Sequence, residues 1–167
     1  GLGLLMAHEW VTLVNLLGLL TGFALLADHF ERSGVPALLP RFLPDDWKGG
    51  FVLLLLVFVM SSFLDNIAAA MIGGTMAGVL YNKRVHIGFL AGIVAASNAG
   101  GSGSVVGDTT TTMMWIAGVQ ASQVFDAYVA AVPAVVIFGV LAARQQHAFQ
   151  PIMKDAPSGD RKSTRLN

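Results

Sequence analysis

The sequence predicts an all-α membrane protein in which transmembrane helices are joined by a re-entrant helical hairpin and a broken helix. Three observations carry that prediction. Of 167 residues, 54% are hydrophobic and only 12% charged, against roughly 25% charged in a soluble domain. The apolar residues are gathered into stretches long enough for a bilayer. Two of those stretches are interrupted by polar residues at their centres, Ser61-Ser62-Phe63-Leu64-Asp65-Asn66 and Asn98-Ala99-Gly100-Gly101-Ser102-Gly103-Ser104 running on to Asp108. In lipid, backbone that leaves the helix is tolerated only where protein buries it or where it lines a polar cavity.

Residues 1–9 read as a remnant of something longer. A first span covers 10–27, with Trp10 as an interfacial anchor and Asn15 and Thr21 as its strongly polar side chains. About 20 residues at ~1.5 Å each cross the ~30 Å hydrocarbon core. Gly18 and Gly22 form a small-xxx-small pair, which predicts a close helix contact. Residues 28–50 carry seven charged side chains and Pro36, Pro40 and Pro44. They read as a surface loop with a short interfacial segment.

Residues 51–80 are too long for a single upright span, and Asp65-Asn66 stands near their middle. The pattern fits a long tilted helix or a re-entrant hairpin with its tip at 64–66. The hairpin is the favoured reading, with Gly74 and Gly78 allowing its returning arm to pack tightly. After the basic loop at 81–86, residues 87–120 predict a broken helix with half-helices at 87–99 and 109–119 and a linker at 100–108. Residues 121–126 read as a short polar loop. A last span covers 127–143, with Pro133 expected to kink it. The tail 144–167 is polar and aperiodic, and from about 158 it reads as an artefactual extension. With a hairpin, Lys83, Arg84, His86, Arg144 and the 28–50 loop share one side, which the excess of Lys and Arg marks as cytoplasmic.

The candidate site residues are Asp65 and Asn66 at the first break and Asn98, Gly100, Gly101, Ser102, Asp108, Thr110 and Thr111 at the second. A carboxylate inside the bilayer costs at least ~2.5 kcal/mol, so two of them, each at a break, are hard to attribute to packing. Asp108 also suits the N-cap of a half-helix beginning at Thr109, a structural role that coexists with ion binding. Asn66 and Asn98 serve equally well as interhelical hydrogen-bond partners. Oxygen ligands without thiol or imidazole suit a hard cation, and Asp65 and Asp108 are the candidate Na⁺ ligands. Na⁺ and H⁺ competing for one carboxylate would exchange without further machinery.

Other chemistries are excluded or unsupported. The chain has no cysteine and a formal net charge of zero, so thiolate metal sites are excluded and nucleic acid is not an expected partner. His8, His29, His86 and His147 are scattered and read as interfacial or flanking. The glycine run lacks the lysine of a phosphate-binding loop. Ser102 and Ser104 have no neighbouring His or Lys, so no hydrolase is expected. No cofactor is expected, only transported Na⁺ and H⁺.

At Phe63-Leu64-Asp65-Asn66 and across Asn98 to Trp115 the chain resembles the ion transporter superfamily, in particular NhaD-type Na⁺/H⁺ antiporters and their citrate-transporter-like relatives. The resemblance covers about Trp10 to Arg144. It implies one half of an inverted-repeat transporter, with the missing second repeat and a homodimer as partners and the bacterial cytoplasmic (inner) membrane as location. Carried over by residue, it places Asp65 and Asn66 on the hairpin tip and Asn98, Asp108, Thr110 and Thr111 on the broken helix. The tip Leu64-Asp65-Asn66 differs from the Ser-Asn-Thr tip of anion-carrying relatives and points to cations. Gly103 and Val105 stand where antiporter relatives often have a bulkier residue and a proline. Two alternatives stay open: cation-coupled transport of an anion such as citrate or arsenite, and a non-transporting membrane assembly protein.

Overall fold

The computed structural model describes residues 1–153, and every regular element among them is helical. The tail beyond 153, including the stretch read as an artefactual extension, lies outside the described residues. The helices are α1 (Leu2–Arg32), α2 (Val35–Leu38), α3 (Trp47–Ser61), α4 (Asn66–Leu80), α5 (Ile87–Ser102), α6 (Thr109–Ile116), α7 (Ala121–Phe125) and α8 (Tyr128–Phe149). A 3₁₀ turn, Leu39–Phe42, follows α2.

The starts of α3, α4, α5 and α6 each carry a side-chain cap that satisfies a free first-turn amide. Asp46 accepts from Lys48 N at 2.9 Å to begin α3. His86 Nδ1 accepts from Gly88 N at 2.9 Å to begin α5. Asp65 and Asp108 do the same for α4 and α6. The stop of α6 is a Schellman closure: Val119 N donates to Met114 O and Gly118 N to Trp115 O, both at 3.0 Å, with Gly118 at φ 98°. That left-handed conformation suits glycine and turns the chain back toward α7.

α3, α4, α5 and α8 pack against one another as a four-helix bundle around Leu53, Leu54, Val57, Ile72, Met76, Phe89, Ile93 and Ala143. α3 and α4 form a helical hairpin that reverses at 62–65. Each arm has 15 residues, about 22 Å of helix, short of the ~30 Å hydrocarbon core. Among the described residues, two stretches are long and apolar enough to cross a membrane, Leu2–Phe30 and Ala121–Phe149, each of 29 residues. Leu4, Leu5, Leu13, Leu17, Leu25 and Leu26 of α1 are exposed, an apolar surface suited to lipid rather than water.

Several boundaries differ from the sequence reading. α1 starts at Leu2 and continues to Arg32, because Asp28, His29 and Arg32 are compatible with a helix once its end reaches polar surroundings. The 28–50 segment is largely helical rather than a loop, and residues 121–125 form a helix where a polar loop was expected. α8 runs through Pro133 and on to Phe149. Its extension past residue 143 is explained by Gln146, which is 0% exposed. Its Oε1 accepts from His86 N at 2.6 Å, and its Nε2 lies 3.1 Å from Arg84 O and 3.2 Å from Gln150 O. The α4–α5 loop is thereby tied to the end of α8.

The close helix contacts also fall on different glycines from those expected. A Cβ at Gly18, Gly22, Gly74 or Gly78 would meet nothing within 4 Å. A Cβ at Gly73 would lie 2.5 Å from Val57 Cγ2, and one at Gly100 only 2.0 Å from Phe58 O. Gly100→Ala must therefore push the backbones of α3 and α5 apart. It should destabilise the protein by about 1–3 kcal/mol. Gly74→Ala should leave stability at or slightly above the starting value. Thermal unfolding of the two variants, purified in detergent, checks the contrast.

Candidate functional site

The site is built where α3 and α5 end, because the last carbonyls of a helix have no partner inside it. In a membrane interior each unpaired group costs several kcal/mol. Hydroxyl side chains donate to carbonyls at these ends, within α5 and along the linker that follows. Ser61 Oγ donates to Ser97 O in a short hydrogen bond. Ser104 Oγ donates to Ser62 O at 2.6 Å. Thr111 Oγ1 lies 2.6 Å from Ser104 O and 2.9 Å from Asp108 O. Thr112 Oγ1 lies 2.7 Å from Val105 O and 2.9 Å from Asp108 O.

These bonds stitch the two breaks to each other. A Cβ at Gly107 would lie 2.4 Å from Ser61 O and one at Gly101 2.7 Å from Gly107 O. The α5–α6 linker thus folds onto the end of α3 with no room for side chains. Asn66 Nδ2 donates to Asn98 Oδ1 at 2.8 Å, joining the first residue of α4 to the last turn of α5.

The two carboxylates stand at the opposite helix ends. Asp65 accepts from Ile67 N and Asp108 from Thr110 N, both at 3.2 Å. The first turns of α4 and α6 present partial positive charge, and each aspartate sits against one of them. α3 and α5 present carbonyl ends of partial negative charge to the same region. The polar groups at the breaks are oxygens and amides, while Leu20, Ile67, Met71 and Ile72 line the space beside Asp65.

The structure separates what it brings together from what it does not. Asn66 and Asn98 are bonded, Gly100 and Gly101 admit the neighbouring backbones, and Thr111 of α6 is buried with its hydroxyl on the linker carbonyl of Ser104. Ser102 Oγ turns back to Ala99 O at 2.7 Å, and Thr110 is exposed. Asp65 lines a cavity of about 410 Å³ between α1, α4 and α6, together with Asp28 and Thr109. Asp108 instead lies against Gly101. The carboxylates of Asp65 and Asp108 share no hydrogen-bond partner among the described residues, where no group of three acidic, histidine or cysteine side chains converges either.

Sequence reasoning passed over Ser61, Ser62 and Tyr128. The hydroxyls at 61 and 62 were visible as polar residues in an apolar segment. No local pattern marked Tyr128, whose role depends on where α8 packs.

No family model and no solved structure matches the chain. It is 33% identical over 109 residues to "Sodium/proton antiporter 1" of Arabidopsis thaliana, a match covering 65% of this chain and 17% of that protein. It is 31% identical over 109 residues to "Sodium/proton antiporter 2" of the same plant, covering 65% of this chain and 23% of that one. The chain therefore spans about a fifth of the length of the curated relatives it matches. A relationship to sodium/proton antiporters follows, and those relatives are transporters rather than enzymes. With the two long apolar stretches, the similarity points to a membrane protein.

The capping geometry has a direct consequence for stability. Asp108→Ala and Asp65→Ala should each cost about 1 kcal/mol through loss of the first-turn acceptor, whereas Asn at either position should cost only a few tenths. Melting temperatures of the four purified variants test this. Equal losses for Ala and Asn would show that charge, rather than capping, governs stability there.

Proposed function

We propose that this chain is part of a secondary transporter exchanging Na⁺ for H⁺, and that the joined helix breaks hold the ion. The observation that supports it most is the meeting of two interrupted helices through Ser104–Ser62 and Asn66–Asn98, with an aspartate at each returning helix start. Similarity to proteins named as sodium/proton antiporters adds weight from outside the geometry. Asp65, Asn66, Asn98 and Asp108 supply the side-chain oxygens, while Gly100, Gly101, Ser102, Thr110 and Thr111 shape the linker. Protons and Na⁺ then compete for the aspartates, and each ion's binding displaces the other.

In this reading α3–α4 is a re-entrant hairpin. Its arms cover about three-quarters of the hydrocarbon core, and its open end carries Lys48, Lys83 and Arg84, facing the cytoplasm. The complete protein would add a second, inverted repeat that supplies the rest of the site, and would assemble as a homodimer. A citrate- or arsenite-carrying relative is disfavoured because two carboxylates at the breaks would repel an anion bound directly to them.

The test uses the full-length protein in everted membrane vesicles with a fluorescent ΔpH probe. Na⁺ addition should collapse a preformed pH gradient. Asp108→Asn and Asp65→Asn keep the helix caps and remove the charge, so each should reduce the Na⁺ response at least tenfold with the protein still folded. A full response in both variants would exclude these residues as ion ligands. A gradient that responds to citrate or arsenite only would replace antiport with anion transport.

A further inference from the structure

Tyr128 is the first residue of α8, yet its side chain reaches both helix breaks. Its hydroxyl lies 2.7 Å from Ser62 Oγ and 2.8 Å from Gly100 O. Ser62 Oγ in turn lies 3.1 Å from Gly100 O and 3.2 Å from Phe58 O. A phenol has one proton to donate and lone pairs to accept. Tyr128 and Ser62 therefore divide between them the carbonyls freed at the ends of α3 and α5.

The ring packs against two other aromatic rings. Its centroid is 5.7 Å from that of Phe58 and 5.1 Å from that of Phe125, the latter edge to face. Gly103, in the linker, has no room for a side chain: its Cβ would fall 2.6 Å from three ring carbons. Glycine at 103 is thus what admits the tyrosine. Tyr128, half-buried, lines a pocket with Phe58, Ser62, Gly103 and Ser104.

We propose that Tyr128 is a positioning residue for the ion site. Its phenol fixes the ends of α3 and α5 at one spacing against α8. That spacing sets the distance across Asn66–Asn98 and the orientation of the linker that delivers Asp108. The residue need not touch the ion. The proposal rests on the reading of the breaks as an ion site, and it extends that reading to a helix the sequence assigned no role.

Tyr128→Phe removes the hydroxyl and keeps the ring, and Phe125→Leu removes the ring contact and keeps the hydroxyl. In the full-length protein in vesicles, Tyr128→Phe should raise the Na⁺ concentration for half-maximal exchange about fivefold, with the maximal rate per folded protein unchanged. Phe125→Leu should keep the original Na⁺ dependence. Hydrogen–deuterium exchange on the purified proteins gives a readout independent of transport. Amides 103–108 should exchange about fivefold faster in Tyr128→Phe, with 50–60 unaffected.

Unchanged exchange at 103–108 would overturn the proposal. So would an unaltered half-saturation, or the same rise in Phe125→Leu. If the unsubstituted protein shows no Na⁺ response at all, the antiport reading fails, and the exchange data still decide whether Tyr128 holds the breaks.

Discussion

The structure depends on pairing the carbonyls left free where α3 and α5 stop. An apolar bundle cannot leave them bare, since each would cost several kcal/mol away from water. Ser62, Ser104 and Tyr128 meet that demand with hydroxyl donors to Gly100 O and Ser62 O, while Ser61 bonds Ser97 O within α5 and Thr111 and Thr112 bond the linker carbonyls of Ser104 and Val105. An interhelical hydrogen bond of this kind is worth only about 1 kcal/mol in lipid. The larger effect is the avoided penalty, which explains why so many hydroxyls converge on one short region. A hydroxyl is also exchangeable in a way a methyl group is not: it can turn its proton aside and offer a lone pair to a cation.

The two ends of the bundle are built differently. At the basic end Gln146 is fully buried and ties Arg84, His86 and Gln150 together. Arg144 lies over the Trp47 ring at 4.8 Å, and His86 packs edge to face on Phe149 at 5.3 Å. That end is closed by specific contacts. The opposite end holds the two breaks, the two aspartate caps and the cavity beside Asp65. The same four helices thus carry one end closed by side-chain contacts and one end that is polar and interrupted.

Helix packing here relies on close approach more than on burial of apolar area. Lipid tails are as apolar as leucine, so helices gain little by leaving them. Gly73 against Val57, Gly100 against the Phe58 carbonyl and Gly107 against the Ser61 carbonyl bring backbones near enough for dispersion and for the hydroxyl bonds to form. Gly103 against Tyr128 is the same device turned on a side chain.

Much of this was legible in the sequence. The apolar stretches, the interruptions at 61–66 and 98–108 and the capping potential of Asp65 and Asp108 follow from local chemistry. Aspartate accepts first-turn amides, and glycine with serine loosens a helix wherever they occur. The helix ends were less legible, because Asp28 and Arg144 end an apolar pattern without ending a helix. Which glycines make contacts was not legible either: the spacing of Gly18 with Gly22 and of Gly74 with Gly78 matches that of packed helices, yet those faces are open. Spacing defines a face, and only the neighbouring helix decides whether the face is used. Tyr128 shows the same division. Its sequence neighbours are apolar or loop-like, and its hydrogen-bond partners are Ser62 and Gly100, 66 and 28 residues away. The sequence by itself determined where the chain must break and which oxygens stand at the breaks, since those depend on residues next to each other. Only the tertiary structure decided which break meets which and what holds them, since those depend on how separate helices pack.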